Sequence, residues 1–361
     1  MDYIAVLGRQ PEISIAELEA LFGKVKRISK KIAAFNAQAP QIERLGGSLK
    51  LAKKLNQKPL DYLANLPTGK ITLGVSDYSQ NASRKTASLE ALKLKKILVR
   101  HERSVRVVEN KNATLSTATS LHNGLSGKNE RKIELIKINN DWYKVIGVQD
   151  IDAYTKRDQA RPARDAFVGM LPPKLAQILI NLCGPLPKNA TILDPFCGTG
   201  VVLQEALLMG YHAYGTDINE RMIEYSEKNL KYFDFKNYKT EVGDATEFKW
   251  QQPINAVSCE GYLGKPFSKI PADIQLKEQK QECESIVLGF LKNLASQIKP
   301  NPPVTIAIPA WLRENGAYER LEILDYISEM GYNVENKSRE GLLYHRDNQV
   351  VARDIIILRK K

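Results

Sequence analysis

The sequence has little of what disulfide frameworks, zinc sites and membrane spans require. Its four cysteines, Cys183, Cys197, Cys259 and Cys283, are far apart and form no CxxC pair, so we expect neither a disulfide framework nor a zinc site. No stretch approaches the roughly 18 consecutive apolar residues of a membrane-spanning helix. The first residues lack the basic and apolar regions of a secretory signal. These absences predict a soluble, cytoplasmic protein without a metal site.

Length and charge set the next limits. At 361 residues the chain is longer than one typical domain, which favours two or three cores. The 53 lysines and arginines exceed the 41 aspartates and glutamates, giving a formal net charge of +12. A solvated basic surface and a polyanionic partner both account for such a charge, and charge alone does not decide between them.

The first 150 residues have the pattern of an α/β region. Strands are predicted at 2–8, 31–37, 70–77 and 104–110, and helices at 48–56, 88–102 and 114–125. The runs "KIELIKIN" and "DWYKVIGVQ" predict a strand pair that closes this region. Ser14 and Glu17 have the spacing of a capping box at the start of the first helix.

A charged segment that contains proline, residues 151–168, is typical of a linker between domains. From residue 169 onward, the strand-like runs "TILDPF", "HAYGTD", "KTEVGD", "INAVSC" and "VTIAIP" alternate mostly with helical patterns. This alternation predicts a doubly wound, parallel, Rossmann-like sheet. After "VTIAIP", two strand-like runs lie too close together for a crossover helix, which predicts a C-terminal antiparallel hairpin.

The most informative segment is "LDPFCGTG", residues 193–200. Ligands of doubly wound sheets bind beyond the carboxyl ends of the strands, and glycine lets the backbone approach a ligand closely. A nicotinamide-binding loop is also a glycine-rich turn between strand and helix. However, its third glycine is missing here, because Val202 and Leu203 follow the turn.

This segment resembles the cofactor loop of class I S-adenosylmethionine-dependent methyltransferases. Aspartates at the ends of the next two strands, Asp217 and Asp244, fall where that resemblance requires a ribose acceptor and an adenine acceptor. The alternative, that each aspartate only caps a following helix, explains them singly but not as a set. The resemblance therefore implies S-adenosyl-L-methionine as cofactor, bound by Asp194, Pro195, Phe196, Cys197, Gly198, Thr199, Gly200, Asp217, Ile218, Asp244 and Ala245.

The loop after the fourth strand, "CEGYLG", is where this superfamily places its methyl-acceptor chemistry. Methyltransferases of nucleobase amines usually carry Asp/Asn/Ser-Pro-Pro-Tyr/Phe there, and only the aromatic residue, Tyr262, is kept. Three interpretations stay open. Glu260 replaces the lost acceptor while Tyr262 stacks on the base; Cys259 is a nucleophile; or the loop has drifted and turnover is lost.

A closer resemblance covers residues 153–220 and, more weakly, the tail "REGLLYHRDNQVVARDIIIL". These segments resemble the tRNA guanosine-10 N2-methyltransferase family, in which an RNA-binding THUMP domain precedes the catalytic domain. The resemblance implies a THUMP-like N-terminal region (1–150), a linker (151–168) and a methyltransferase domain (169–361). It implies methylation of guanine N2 in tRNA, and a base flipped out of its stack to reach the cofactor.

The resemblance also implies partners. The partner is tRNA, and some members of the family act with a small activating protein subunit. The residues predicted to contact RNA are Arg84, Lys85, Lys93, Lys96, Arg100, Arg161 and Arg164. For the basic residues on the helix at 88–102 and its flanks, a solvated helix is the alternative. The alternatives to a tRNA guanine-N2 enzyme are a tRNA-binding protein without turnover and an enzyme acting on another nucleobase amine of RNA or DNA.

Overall fold

The computed structural model describes residues 1–164, 170–336, 342–347 and 349–361. The chain divides into two compact units, Met1–Tyr154 and Thr155–Lys361. The end of the predicted linker and the start of the predicted methyltransferase domain fall on residues 165–169, outside the described ranges. Part of the tail that carries the family resemblance, residues 337–341 and 348, also lies outside them. Within the described ranges, none of the helices combines the length and the apolar character needed to cross a bilayer.

The first unit is built on an eight-stranded mixed sheet with the strand order β2-β3-β1-β4-β8-β7-β5-β6. Its elements are β1 (Tyr3–Leu7), α1 (Pro11–Phe22), β2 (Val25–Arg27), β3 (Ile32–Phe35), a 3-10 turn (Ile42–Arg44), β4 (Ser48–Lys54), α2 (Pro59–Ala64), β5 (Ile71–Asp77), α3 (Arg84–Arg100), β6 (Val105–Val107), α4 (Thr117–His122), β7 (Lys132–Ile138) and β8 (Asp141–Val148). Helix α5 (Ile151–Gln159) crosses the boundary between the units. The α/β character predicted for this region is confirmed.

The predicted helix at 48–56 is wrong, because these residues form β4, a central strand. Lys50 hides the strand pattern, since a lysine at a core position looks like a surface residue. It is 1 % exposed, and its ammonium group donates to Glu134 Oε1 at 2.6 Å, to Ser120 Oγ at 2.8 Å and to the Leu115 carbonyl at 2.9 Å. A buried charge is tolerated when it is paired and hydrogen-bonded in this way.

The predicted capping box is also wrong, because α1 begins at Pro11 and its N-cap residue is Gln10. Ser14 and Glu17 are buried one turn further on. The Ser14 hydroxyl donates to the Gly47 carbonyl at 2.7 Å, and the Glu17 carboxylate accepts the backbone N–H groups of Gly46 and Gly47, each at 2.9 Å. The two side chains therefore fasten α1 to the turn before β4.

The second unit is built on a nine-stranded sheet with the main order β11-β10-β9-β12-β13-β17-β15. Its elements are α6 (Pro173–Leu182), β9 (Thr191–Asp194), α7 (Val201–Leu208), β10 (His212–Asp217), α8 (Glu220–Tyr232), β11 (Tyr238–Val242), β12 (Ala256–Glu260), α9 (Asp273–Ala295), β13 (Pro303–Leu312), β14 (Tyr318–Arg320), α10 (Leu324–Glu329), β15 (Tyr332–Val334), β16 (Leu343–Tyr344) and β17 (Val351–Lys360). Strands β9 to β13 are parallel, and β17 lies antiparallel between β13 and β15. The predicted doubly wound sheet with an antiparallel C-terminal part is confirmed.

The strand order places a crevice at the carboxyl end of β9. From this strand the chain runs outward through β10 and β11 on one side and through β12 and β13 on the other. A reversal of strand order of this kind is the topological switch point at which ligands of open α/β sheets bind. The loops after β9, β10 and β12 are therefore the ones to examine for a site.

Candidate active site

The loop after β9 is held against the end of β10 by hydrogen bonds that its backbone N–H groups donate. The Cys197 N–H donates to the Thr216 carbonyl at 2.9 Å, and the Gly198 N–H donates to Asp217 Oδ2 at 2.9 Å. Gly198 has φ +49°, and a Cβ added there would meet no atom closer than 4.0 Å. The backbone of this loop is thus open toward whatever occupies the crevice.

The crevice contains a cavity of about 730 Å³. On one side it is lined by residues of the loops after β9 and β10: Asp194, Phe196, Cys197, Gly198, Thr199, Asp217, Ile218 and Asn219. On the other side it is lined by the end of β12, the loop that follows and the start of β17: Glu260, Gly261, Tyr262, Leu263, Gly264, Lys265, Pro266, Phe267, Ser268, Gln349, Val350, Val351 and Arg353. Such a volume suits a ligand of drug or cofactor size.

Two aspartates give the first side of the cavity its chemistry. Asp194 is 2 % exposed, and its Oδ1 accepts the Phe196 N–H at 3.2 Å. Burial raises the pKa of Asp194 well above its ordinary value, with smaller contributions in the same direction from the charges of Asp217 and Glu260. Burial also raises the pKa of Asp217, although the N–H groups of Asn219 and Gly198 oppose this. A cation bound in the cavity would stabilise both ionised carboxylates.

Four predicted cofactor residues do not line the cavity: Pro195, Gly200, Asp244 and Ala245. Asp244 Oδ1 accepts the N–H and the hydroxyl of Thr246 at 2.8 and 2.7 Å. The carbonyl of the buried Ala245 accepts a hydrogen bond from the side-chain amide of Asn293 at 3.0 Å. The adjacent Gly243 N–H donates to the Asp217 carbonyl at 2.9 Å, so this segment adjoins the cavity. The adenine contact of Asp244 stays a prediction.

Gly200 packs against α8 and does not line the cavity, so its cofactor contact stays a prediction. Its φ is +82°, and an added Cβ would lie 2.4 Å from the Ser226 hydroxyl on α8.

Gly210 offers a matched control for a substitution at Gly200, because it has φ +83° and nothing within 4 Å of an added Cβ. We expect Gly200→Ala to lower the free energy of unfolding of the second unit by about 1–3 kcal/mol more than Gly210→Ala does. Urea unfolding followed by Trp250 and Trp311 fluorescence, with Trp142→Phe as background, measures this difference; equal losses would contradict it.

The acceptor loop begins at Glu260, the last residue of β12. Glu260 Oε1 accepts Nε–H of Arg353 at 2.5 Å, and the two side chains are 16 % and 9 % exposed. Tyr262 is half-buried and lines the cavity, and its hydroxyl donates to Glu282 Oε1 at 3.2 Å. Burial raises the pKa of Tyr262, and the carboxylate of Glu282 raises it further.

Cys259 is wrong as a candidate nucleophile. It is 0 % exposed, belongs to the hydrophobic core beneath α9, and does not line the cavity. Burial raises the pKa of its thiol well above the ordinary value, and the charge of Asp194 adds to the rise. A cysteine that is buried and uncharged lacks the thiolate that nucleophilic attack requires.

Arg353 is a site residue that the sequence reasoning missed. It lies 93 positions after Glu260 and is brought to it only by the antiparallel strand β17. A signal was present, because "VVARDIIIL" places two charged residues inside a run of aliphatic ones, and a charge in a buried strand usually has a partner. That partner could not be identified without the sheet.

The structure separates the predicted RNA-contacting residues into two groups. Arg161 is 3 % exposed and donates to the Thr199 hydroxyl at 3.3 Å, so it supports the loop after β9, and its prediction as an RNA contact is wrong. The other six are exposed, five of them on α3: Arg84, Lys85, Lys93, Lys96, Arg100 and Arg164. Arg84 pairs with Glu109 at 2.9 Å. Among the described residues, no cluster of histidine, cysteine and carboxylate side chains could hold a metal ion.

Known proteins resemble this chain in both units. A family described as "Methyltransferase domain" matches residues 186–314, and one described as "DNA methylase" matches residues 75–228. The tRNA (guanine(10)-N2)-dimethyltransferase of Pyrococcus abyssi is 31 % identical over 286 residues, which cover 76 % of this chain and 77 % of the relative. Proteins of the same name from Methanocaldococcus jannaschii and Methanothermobacter thermautotrophicus are 25 % identical (84 % of this chain, 89 % of the relative) and 31 % identical (43 % and 44 %).

The sheet, the loop after β9 and the cavity at its switch point define a methyltransferase of the S-adenosylmethionine-dependent class. The match to the Pyrococcus abyssi protein covers more than two thirds of both chains and therefore shows the particular family. The chain belongs to the tRNA (guanine(10)-N2)-dimethyltransferase family.

The residues of the cavity fit S-adenosyl-L-methionine. The open backbone at Gly198 and the carboxylate of Asp217 can receive its polar groups, and the acidic wall suits its sulfonium cation. Ile218 also lines the cavity and is 70 % exposed, so its side chain offers an apolar surface for a ring.

The raised pKa values of Asp194 and Asp217 predict how cofactor binding depends on pH. S-adenosylmethionine should bind more tightly as the pH rises above the ordinary aspartate value of 3.8 and both carboxyls ionise, by at most about tenfold per pH unit for each group. The unliganded protein should lose stability over the same range, because ionisation of a buried carboxyl is unfavourable. Calorimetry across pH measures the binding. The neutral product S-adenosylhomocysteine is the control, and an equal rise for it would contradict the prediction.

Proposed function

We propose that this protein methylates the exocyclic N2 of guanine in tRNA, at guanosine 10, and that it forms the dimethylated base. The observation that carries the proposal is the cavity itself. It brings a cofactor wall, with Asp194 and Asp217, to face an acceptor wall, with Glu260 and Tyr262. The relatives named for this reaction, similar over most of their length, support the choice of substrate.

The acceptor wall can perform three tasks that amine methylation needs. When bound, S-adenosylmethionine supplies an electrophilic methyl group. The Glu260 carboxylate accepts a hydrogen bond from the amine, which orients N2, and it can take the proton that N2 loses on methylation. The Tyr262 ring offers a surface on which the flipped guanine stacks. The hydroxyl of Tyr262 is already held by Glu282, so the ring is positioned before the base arrives.

The proposal assigns RNA binding and catalysis to different parts of the chain. Residues 1–150 form a THUMP-like, RNA-binding region, 151–168 a linker and 169–361 the catalytic domain. The exposed basic face of α3, defined by Lys85, Lys93, Lys96 and Arg100, supports RNA binding by the first region. Its positive charges lie on one helix, where they can follow a phosphate backbone.

Nucleoside analysis tests the reaction directly. The full chain, without any added subunit, is incubated with unmodified tRNA and S-adenosylmethionine labelled in its methyl group, and the RNA is digested. The expected product is labelled N2,N2-dimethylguanosine, lost when the tRNA has adenosine at position 10. Label in another base, or retained in that variant tRNA, would overturn the assignment. If the chain binds tRNA but transfers no label, it is a binding protein and the interpretation of a drifted loop is correct.

Salt dependence tests the basic face of α3. We expect replacement of Lys93, Lys96 and Arg100 by glutamine to weaken tRNA binding and to reduce the slope of log affinity against log salt by roughly two to three. The control replaces Lys24, Lys26 and Lys30, which are exposed at the β2 edge, the opposite end of the sheet from the β5–β6 strands that α3 packs on. Both variants lose three positive charges. Equal slopes in the two variants would mean that only net charge matters.

A further inference from the structure

Arg353 reaches the acceptor wall across a neighbouring strand. Glu260 on β12 is in register with Ala307 on β13, and Ala307 with Ile355 on β17. Arg353 is two residues from Ile355, and side chains two apart point to the same face of a sheet. Arg353 and Glu260 therefore share one face with the whole of β13 between them. Only a long side chain can span that gap, and the residues it crosses, Ala307 and Pro309, are small.

The pair is built into the cavity and shielded from solvent. Both residues line the cavity, and both side chains are largely buried. Glu260 is one of three carboxylates that line the cavity, with Asp194 and Asp217. Without a cation beside it, a third negative charge in this place would repel the other two. Arg353 supplies that cation and fixes Oε1 of Glu260 with a charge-assisted hydrogen bond.

The hydrogen-bonding pattern of the pair matches guanine. A carboxylate accepts about four hydrogen bonds, so the bond to Arg353 leaves Glu260 further acceptor capacity. The Watson–Crick edge of guanine presents two adjacent donors, the N2 amine and N1–H, and next to N1–H the O6 acceptor. A carboxylate suits the two donors and a guanidinium group suits O6. At the corresponding positions adenine presents C2–H, the N1 acceptor and the N6 amine. It would set its N1 lone pair against the carboxylate and its amine against the guanidinium group.

We propose that Arg353 positions Glu260 and that the Glu260–Arg353 pair selects guanine, the carboxylate binding N1–H and N2 while the guanidinium group binds O6. The inference rests on the proposed function and names the residues that give it base specificity. Arg353 is a positioning and specificity residue, and Glu260 is the group that contacts the reacting amine.

The test compares two tRNAs that differ only in the target base. One carries guanine, and the other carries 2-aminopurine, which keeps the N2 amine but lacks N1–H and O6. We expect the wild-type enzyme to prefer guanine in kcat/KM by roughly 5- to 150-fold. In Arg353→Gln this ratio should fall toward one, and Arg353→Lys should restore part of it. If Arg353 only maintained the fold, both rates would fall together and the ratio would be unchanged, which would overturn the inference.

A matched control lies on the same strand. Arg359 pairs with Glu335 through its Nε at 3.0 Å, as Arg353 pairs with Glu260, but it does not line the cavity. Arg359→Gln should leave the base ratio at its wild-type value. In a double-mutant cycle, Glu260→Gln combined with Arg353→Gln should lose little more than Glu260→Gln alone, because the two residues act as a unit. Additive losses would contradict the pairing.

A separate measurement keeps this inference distinct from the proposed function. If the wild-type chain methylates neither tRNA, the proposed function fails. Base selection is then read from calorimetry with guanosine and adenosine monophosphates in the presence of S-adenosylhomocysteine. A preference for the guanine nucleotide that Arg353→Gln abolishes would uphold the inference alone, and equal binding of the two nucleotides would overturn it as well.

Discussion

Replacement of Glu260 by glutamine is expected to lower the turnover number by roughly 10²- to 10⁴-fold, the range of a lost acid–base group. The amide keeps one acceptor oxygen but loses the charge that receives the N2 proton, and it leaves Arg353 without its anionic partner. The affinity for tRNA should change little, because phosphate contacts dominate the binding of nucleic acids. The variant thus separates an enzyme from a protein that only binds tRNA.

Single-turnover kinetics and filter binding measure the two quantities on the same protein. Glu335→Gln is the control, because it removes the same charge from the comparable pair with Arg359, away from the cavity. That control should keep both turnover and affinity. A Glu260→Gln protein with wild-type turnover would mean that Glu260 does not act on the amine. Parallel losses of turnover and tRNA affinity would instead point to a role in RNA binding.

Replacement of Lys50 by methionine is expected to destabilise the first unit by about 3–5 kcal/mol. The side chains of Lys50 and Glu134 are 2 % and 0 % exposed, so the substitution leaves a buried carboxylate without its cation. The hydroxyls of Ser76 and Ser120 donate to that carboxylate at 2.7 and 2.6 Å, but they carry no charge to offset it. A loss of this size is a large fraction of the stability of an ordinary domain.

Lys54→Met is the matched control on the same strand. Lys54 pairs with Asp141 at 2.9 Å, but the two side chains are 40 % and 53 % exposed, so the loss should stay within about 1 kcal/mol. Hydrogen exchange of the segments 48–54 and 132–138, read by mass spectrometry in the full chain, reports on the first unit alone. The double variant Lys50→Met/Glu134→Gln should recover much of the stability. Slow exchange in Lys50→Met, as in the wild-type protein, would contradict the prediction.

The parts of the molecule that were predictable from sequence are those whose signals are local. The segment "LDPFCGTG" and the aspartate at the end of β10 lie within 25 residues of each other, and glycine and carboxylate at strand ends have few other uses. The alternating pattern of the second unit likewise follows from short periods of hydrophobicity. These local signals are the reason why the doubly wound sheet could be predicted.

The parts that were missed depend on distant partners. The helix predicted at 48–56 is wrong because the carboxylate that neutralises Lys50 in the core is 84 positions away and the local pattern does not reveal it. The predicted RNA contact of Arg161 is wrong because the tertiary fold buries this side chain beside Thr199, and a charged segment of sequence does not reveal such burial. Ser14 and Glu17 had the correct spacing for a cap, but their partners are the glycines before β4. In each case the residue is polar, as its type indicates, but its partner lies too far along the chain to be identified from the sequence.

The two walls of the cavity differ in how much chain must be ordered to build them. The Gly198–Asp217 hydrogen bond, on the cofactor wall, closes a loop of 19 residues, and the Glu260–Arg353 pair, on the acceptor wall, closes one of 93. Loop-closure entropy makes the second closure more costly by about 1.4 kcal/mol. The cofactor wall needs only segments that are close together in the sequence, whereas the acceptor wall is complete only when β17 has joined the sheet. Ordering the cofactor wall therefore costs less conformational entropy than ordering the pair that we propose selects the base.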